Sequence, residues 1–306
     1  MHLSARVGIL LMALSPINNV QACDVCGCSV SSQSLGLLPQ FSMHFVGLQY
    51  LYATSHNSHP SIFEGKPNEE SNQVYQYTQL WGRFQINKKI QLFAFVPYVQ
   101  NSSKEISQTS HSSGIGDASV IVNYSFPLAE KANKKRMLLG GIGLKMPTGV
   151  FNSSTNAERN GLPNTQTGTG SWDILSNINF TQKGKKWGCN IEASYILTTT
   201  NKWKYKFGNR LNTAAVAFYW LEYKQLKIAP QSGLRAEYAL HDYDNYRKKW
   251  LNEKTGGIMT FTTLGTQVFY KYFGAKAVIS IPVYQQYAAG YVRSNSRFEG
   301  GIFILF

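Results

Sequence analysis

From Phe41 to the carboxy terminus, apolar residues recur at alternate positions in segments of about ten to fourteen residues, joined by polar or glycine-rich connections. A period of two puts successive side chains on opposite faces of an extended chain. In the third segment Ile90, Leu92, Ala94, Val96 and Tyr98 share one face. In the fourth, Ala118, Val120, Val122, Tyr124 and Phe126 oppose Asp117, Ser119 and Asn123. The sixth sets Trp172, Ile174, Ile178 and Phe180 against Ser171, Asp173, Asn177 and Asn179. The ninth sets Leu226, Ile228, Leu234, Ala236, Tyr238 and Leu240 against Lys227, Gln231, Arg235 and Glu237. The others fall near 41–54, 72–86, 137–147, 187–199, 209–221, 257–270, 275–287 and 296–306, which makes twelve. In the last, Phe298, Gly300, Ile302, Ile304 and Phe306 line one face, and Arg297, Glu299, Gly301, Phe303 and Leu305 the other.

The connections alternate in length. Asn87–Lys89, Lys183–Lys186, Glu222–Gln225 and Lys271–Gly274 are short, and Pro127–Arg136 is slightly longer. Those between, about 55–71, 101–113, 148–170, 200–208, 241–256 and 288–295, are mostly longer and rich in Ser, Asn, Gly and Thr. An even strand number with short turns at one end and long loops at the other describes a barrel that spans an outer membrane with both termini in the periplasm. The expected fold is therefore all-β: a transmembrane antiparallel up-and-down β-barrel of about 12 strands, with short periplasmic turns and long extracellular loops. The expected location is the outer membrane of a Gram-negative bacterium, with outer-membrane lipids and the barrel assembly machinery as partners.

Composition agrees. Of 306 residues only 15% are charged, while 18 Tyr, 17 Phe, 6 Trp and 26 Gly suit strands that are apolar on one face. Residues 1–22 have the form of a signal peptide, with Arg6, an apolar run from Val7 to Leu14, and Val20-Gln21-Ala22 before Cys23. The chain divides into that signal, a Cys-rich periplasmic segment at 23–40, and the barrel at 41–306.

A formal net charge of +14 raises the question of nucleic acid. The topology answers it. The short turns carry eleven basic residues (Lys88, Lys89, Lys131, Lys134, Lys135, Arg136, Lys183, Lys185, Lys186, Lys224, Lys271) against Glu130 and Glu222. The long loops are nearly balanced, eleven basic to eight acidic, so the excess is a periplasmic rim beside lipid headgroups rather than a nucleic-acid surface. Facing inward, Arg83, Lys145, Lys227, Arg235, Lys276 and Arg297 meet Asp117, Asp173, Glu192, Glu237 and Glu299, a balance that suits cross-strand pairs rather than a strongly ion-selective constriction. The same face carries Tyr75, Tyr77, Trp81, Phe93, Phe95, Phe218, Trp220, Phe261, Phe269, Tyr284 and Phe303. About twelve strands lie between barrels filled by side chains and barrels with open channels, so a narrow aromatic path and a plugged lumen both remain open.

Three stretches resemble a known group. Ser113-Gly-Ile-Gly-Asp117 resembles a G-x-G-D strand opening, Lys145-Met-Pro-Thr-Gly149 a K-x-P-T-G strand end, and Gln166-Thr-Gly-Thr-Gly-Ser-Trp-Asp173 a Q-x-G-T-G-S-x-D strand entry. In this order they resemble the outer-membrane transporter family of the phenol-degradation meta-pathway type, itself similar to fatty-acid-transport-like channels. The resemblance implies uptake of small apolar or aromatic molecules. Independently of it, Asp117, Lys145 and Asp173 project inward from neighbouring strands, which places a charge cluster near one mouth.

The mature amino terminus would begin Cys23-Asp-Val-Cys26-Gly-Cys28. Three thiols so close offer soft ligands for Cu or Zn, and equally a disulfide, a lipidated Cys23 or a bond to a partner. The expected function is thus a channel for passive uptake of a small-molecule solute, its path lined by the inward charges named above and by Tyr77, Trp81, Phe95 and Trp220. The alternative is a metal-binding protein using Cys23, Cys26 and Cys28, with a structural barrel. No Ser/His pair on adjacent strands points to an enzyme, and no catalytic residue is assigned.

Overall fold

The structure is a computed structural model that describes residues 43–59, 69–105, 109–128, 134–151, 166–245, 247–252 and 254–306. Strands β1 (Phe45–His59), β2 (Glu69–Gln85) and β3 (Ile90–Glu105) follow as antiparallel hairpins. β4 (Thr109–Ile115) and β5 (Ser119–Phe126) both pair with β3, so they form one stave interrupted at residues 116–118. β6 (Lys135–Lys145), β7 (Asp173–Lys183) and β8 (Trp187–Leu197) continue the wall. After the short β9 (Tyr205–Lys206), β10 (Arg210–Tyr219) and β11 (Leu221–Tyr223) make the next stave and β12 (Leu226–Ala239) the one after. β13 (Tyr243–Asp244) and β14 (Lys249–Trp250) join β9 in a separate small sheet outside the barrel. β15 (Gly257–Tyr270) and β16 (Phe273–Tyr287) lead to the last stave, β17 (Val292–Ser294) with β18 (Arg297–Leu305).

β18 pairs with β1 from Phe45↔Leu305 to Tyr52↔Phe298 and so closes an antiparallel barrel of twelve staves. Closure leaves no wall strand without a neighbour, the condition for placing backbone polar groups in hydrocarbon. The terminal strand shows the logic of the whole wall. Ile302 and Ile304 are 63% and 49% exposed on the outside, while Phe303 and Leu305 between and beside them are 2% and 3% exposed inside. An apolar outer belt on a closed barrel puts the chain in the outer membrane.

Two local expectations change. Residues 101–104 and 109–113 are paired strands rather than coil, because β3 and β4 stay paired out to Lys104↔Thr109. Tyr284 faces outward. A bulge between Thr260 and Phe261 pairs these with Tyr284 and Pro282, skipping Val283, so the alternation in β16 reverses past that point. One extra residue moves every later side chain to the opposite face.

The small outer sheet is held by Asp242, which lies beyond the end of β12. Its carboxylate accepts from Tyr205 Oη at 2.5 Å and from the Gly208 N–H at 2.7 Å, and its own N–H donates to Thr255 Oγ1 at 2.8 Å. Burial pushes the Asp242 carboxyl above its ordinary 3.8, against the opposing pull of the Tyr205 hydroxyl and the Arg210 charge. The folded chain then holds this proton more tightly than the unfolded one. Its contribution to stability is full below the unfolded value and declines as pH rises through the raised folded value. Hydrogen exchange of amides 205–208 and 242–250 should therefore quicken as the solution passes from acidic to neutral, beyond the intrinsic pH trend, and Asp242→Asn should remove that excess.

Candidate functional site

The three glycine-rich stretches, far apart in sequence, meet at the break between β4 and β5. Gly116 N–H donates to Pro97 O at 2.8 Å in place of a ladder bond. Thr148 Oγ1 donates to Gly116 O at 2.7 Å and accepts from the Ala118 N–H at 2.8 Å. Gly149 and Gly168 approach backbone to backbone; a Cβ on Gly149 would lie 2.7 Å from Gly168 Cα, so no larger residue fits without displacement.

Asp117 staples the three together. Its Oδ1 accepts from the Gly149 N–H at 3.1 Å, and its Oδ2 from the N–H and hydroxyl of Thr169 at 2.9 and 2.7 Å. Lys145 Nζ lies 3.1 Å from Asp117 Oδ2 and 2.5 Å from Asp173 Oδ2, and donates to Thr169 Oγ1 at 2.5 Å. Asp173, 1% exposed, also accepts from Ser171 Oγ at 2.9 Å and the Thr199 N–H at 3.0 Å. Buried charges persist where partners and hydrogen bonds replace water, and one ammonium here serves two carboxylates. The cluster borders a cavity of about 70 Å³ inside the outer half of the barrel, enough for a few waters. Val99, Ile196 and Phe207 line it together with the charged Lys145, Asp173 and Arg210.

Across the barrel a second polar group braces β12, β16 and β18. Arg297 Nη1 donates to both carboxylate oxygens of Glu237 at 2.9 Å, with its guanidinium 4.2 Å from the centre of the Phe261 ring. Glu299 pairs with Lys276 and stands 4.0 Å from Arg235. Glu192 accepts from Asn179 Nδ2 at 3.4 Å, and Arg83 Nε donates to Met43 O at 3.0 Å. The inward charges thus resolve into several compensated groups.

Toward the turn end, aromatic rings touch in sequence around the lumen. Trp81 and Phe45 have centroids 4.6 Å apart, Phe45 and Phe303 6.1 Å, Phe303 and Phe269 5.7 Å, and Phe269 and Trp220 5.8 Å. Phe95 stacks on Trp81 at 6.3 Å, all within the range of favourable ring pairs. Trp81, Phe95 and Trp220 are each 2% exposed, so the lumen at this level is filled by side chains. Lys276 Nζ, 5.1 Å above the Trp81 ring, links the rings to the ion pairs. Tyr77 is less buried and lines the cavity nearer the outer mouth.

The structure therefore brings Asp117, Lys145 and Asp173 together, joins Arg235, Glu237, Arg297 and Glu299 in one braced region, and collects Trp81, Phe95 and Trp220 in one ring cluster. Thr148, Thr169, Arg210 and Phe45 were not singled out from sequence. Thr148 and Thr169 lay within the quoted motifs, and the inward phase of β1 pointed to Phe45. Cys23, Cys26 and Cys28 lie outside the described residues, among which no group of three or more His, Cys, Asp or Glu is placed to hold a metal.

The fold has a known counterpart. The COG4313 outer membrane channel from Pseudomonas putida F1 superposes with a TM-score of 0.61 at 14% identity, over 86% of this chain and 96% of that one. The translocator domain of autotransporter NalP from Neisseria meningitidis gives 0.43 at 10% identity, covering 88% and 91% of the two chains. The NanC porin gives 0.40 at 12%, covering 83% and 98%. Likeness as distant as these last two decides nothing about this chain. No family model matches the chain, and no curated protein matches it. The likeness to the Pseudomonas barrel establishes a shared outer-membrane barrel architecture, and the motif junction is the candidate site within it.

Proposed function

We propose that the chain is an outer-membrane channel for passive uptake of small apolar or aromatic solutes. The observation that carries this is the order of surfaces along the lumen: an outer cavity lined by both apolar and charged side chains, then a continuous set of aromatic rings. Ring faces accept apolar and aromatic molecules, whereas the hydroxyls of a sugar and the water shell of an ion would lose hydrogen bonds that rings do not replace. Because the rings fill the lumen, passage requires side chains to move aside, and this limits the rate. Arg83, Glu192, Arg235, Glu237, Arg297 and Glu299 keep the wall around the path in shape, and no residue is assigned a catalytic role. Refolded protein in liposomes should admit small aromatic solutes faster than sugars of equal mass in a swelling assay. Equal rates for the two, or none for either, would remove this reading.

In the same proposal residues 1–22 direct export, residues 23–40 form a periplasmic segment, and the barrel assembly machinery recognises the last strand. Phe306 exchanges two backbone hydrogen bonds with His44, at 2.9 and 3.0 Å, and their rings stack at 5.6 Å. Deleting Phe306 should lower the amount of inserted, heat-modifiable barrel in cells several-fold while detergent refolding of the purified chain still succeeds.

A further inference from the structure

Positive charge on the extracellular side is concentrated in two loops. Residues 200–208 and 241–256 together hold seven basic and three acidic residues, whereas the other long connections hold four basic and five acidic. The structure fuses these two loops into one sheet. Tyr243 pairs with Lys206 on β9 and Trp250 on β14, and Asp244 pairs with Tyr205 and Lys249. Asn245 adds an N–H bond to Lys204 O at 2.8 Å and a side-chain bond to Thr200 Oγ1 at 2.9 Å. The register puts Lys206, Tyr243 and Trp250 on one face of this sheet, and Tyr205, Asp244 and Lys249 on the other.

Three acids cannot cancel seven bases, and the placement of Asp242 and Asp244 widens the gap. Asp242 is turned inward onto Tyr205 and Gly208, and Asp244 stands 3.9 Å from the exposed Arg247, a weak surface pair. Lys204 and Lys248 sit at φ 62° and 50° in the turns that follow Trp203 and Arg247, and both are exposed, as is Lys249. Beside them Trp250 is 54% exposed with its ring 4.7 Å from Tyr243, a two-ring platform open to the outside. Height matters as well. The last outward-facing apolar side chain on this stave is Leu240, one residue past β12, and Tyr243 follows three residues later, at most about 10 Å further along the chain. That is the level at which the outer leaflet of this membrane presents the phosphates and sugars of its glycolipid.

We propose that the face of the small sheet that carries Lys206, Tyr243 and Trp250 binds the phosphate-bearing headgroup of an outer-leaflet glycolipid. Lys206, with Lys204 and Lys248 from the adjoining turns, takes the phosphates as point charges, and Tyr243 and Trp250 take the apolar face of a sugar. The site is separate from the lumen, so it stands whether or not the solute path is as proposed.

The test uses the full chain refolded in neutral detergent, titrated with lipopolysaccharide, with enzymatically dephosphorylated lipopolysaccharide, and with inorganic pyrophosphate. Lipopolysaccharide should bind with an affinity that falls steeply as salt rises. The combined Lys204→Gln, Lys206→Gln and Lys248→Gln variant should lose about tenfold or more at low salt. A variant with Lys88, Lys89, Lys224 and Lys271 changed to Gln on the periplasmic turns should bind as the unaltered protein does. Equal binding by a folded outer-face variant would overturn the proposal, as would equal binding of the dephosphorylated lipid. Pyrophosphate binding as tightly as lipopolysaccharide would show a site for free anions instead and overturn it too. If the outer-face variant fails to fold, the salt and dephosphorylation results on the unaltered protein still decide.

Discussion

Changing Phe45 and Trp81 together to alanine is expected to turn a filled lumen into a conducting one. These rings are in contact at 4.6 Å and join the neighbours that continue through Phe303 and Phe269 to Trp220. Both project from adjacent strands into the same section of the barrel, where Phe45 is 0% and Trp81 2% exposed. Truncating a buried aromatic side chain costs about 3–5 kcal/mol in lost contacts and residual cavity. The two changes share an interface, so their costs will not simply add. Single-channel recording should show conductance rising several-fold over the unaltered protein, and urea titration in lipid vesicles should show a lower unfolding midpoint. A lower midpoint with unchanged conductance would mean that the rings are structural filling and that solutes do not pass between them.

The second large effect is expected at Asp117. Asp117→Ala removes an acceptor from the Gly149 N–H, from both Thr169 donors and from Lys145, leaving the ammonium with Asp173 as its one carboxylate. Breaking a buried ion pair by deleting one partner costs about 3–5 kcal/mol, because the remaining donors are left unsatisfied away from water. The loss should appear as a lower urea midpoint. It should also appear as faster hydrogen exchange at 146–151 and 166–171, the two coil segments that complete the wall where β4 and β5 are interrupted. Asp117→Asn keeps the size but lacks the charge, and should fall between the two. Arg247→Ala, which removes an exposed pair with Asp244, should leave the midpoint within about 0.5 kcal/mol of the original. If Asp117→Ala has no larger effect than Arg247→Ala, the junction does not hold the wall.

The alternation of β18 and β3 was legible because a strand buried on one face writes its environment at every second residue. The same rule located Arg297, Glu299, Trp81 and Phe95 on the inner face without reference to any partner. It failed at Tyr284, where a single bulge residue, Val283, reversed the phase; nothing within β16 alone marks the insertion, since it depends on how β15 pairs with it. It also missed that β3 and β4 remain paired beyond the membrane, because the polar residues of a solvated hairpin look like those of a loop. Asp117, Lys145 and Asp173 were placed near one mouth from the phase of three neighbouring strands. Their sharing of one ammonium, and the role of Thr169 and Thr148, required the coil segments to fold against the break in the wall.

Sequence by itself therefore determined the wall: twelve strands, which side faces lipid everywhere except past the β16 bulge, which end carries the short turns, and the bond between first and last strands. These follow from local periodicity and connection length, which each segment carries independently. Only the tertiary structure decided that the lumen is filled near the periplasmic end, that the three glycine-rich stretches form one stapled junction, and that two basic outer loops join in a single small sheet. Those outcomes depend on which inward side chains meet across the barrel and on where long loops dock, distances that no single segment encodes. A loop charge count near balance conceals a strongly basic sheet for the same reason: summation along the chain discards position in space.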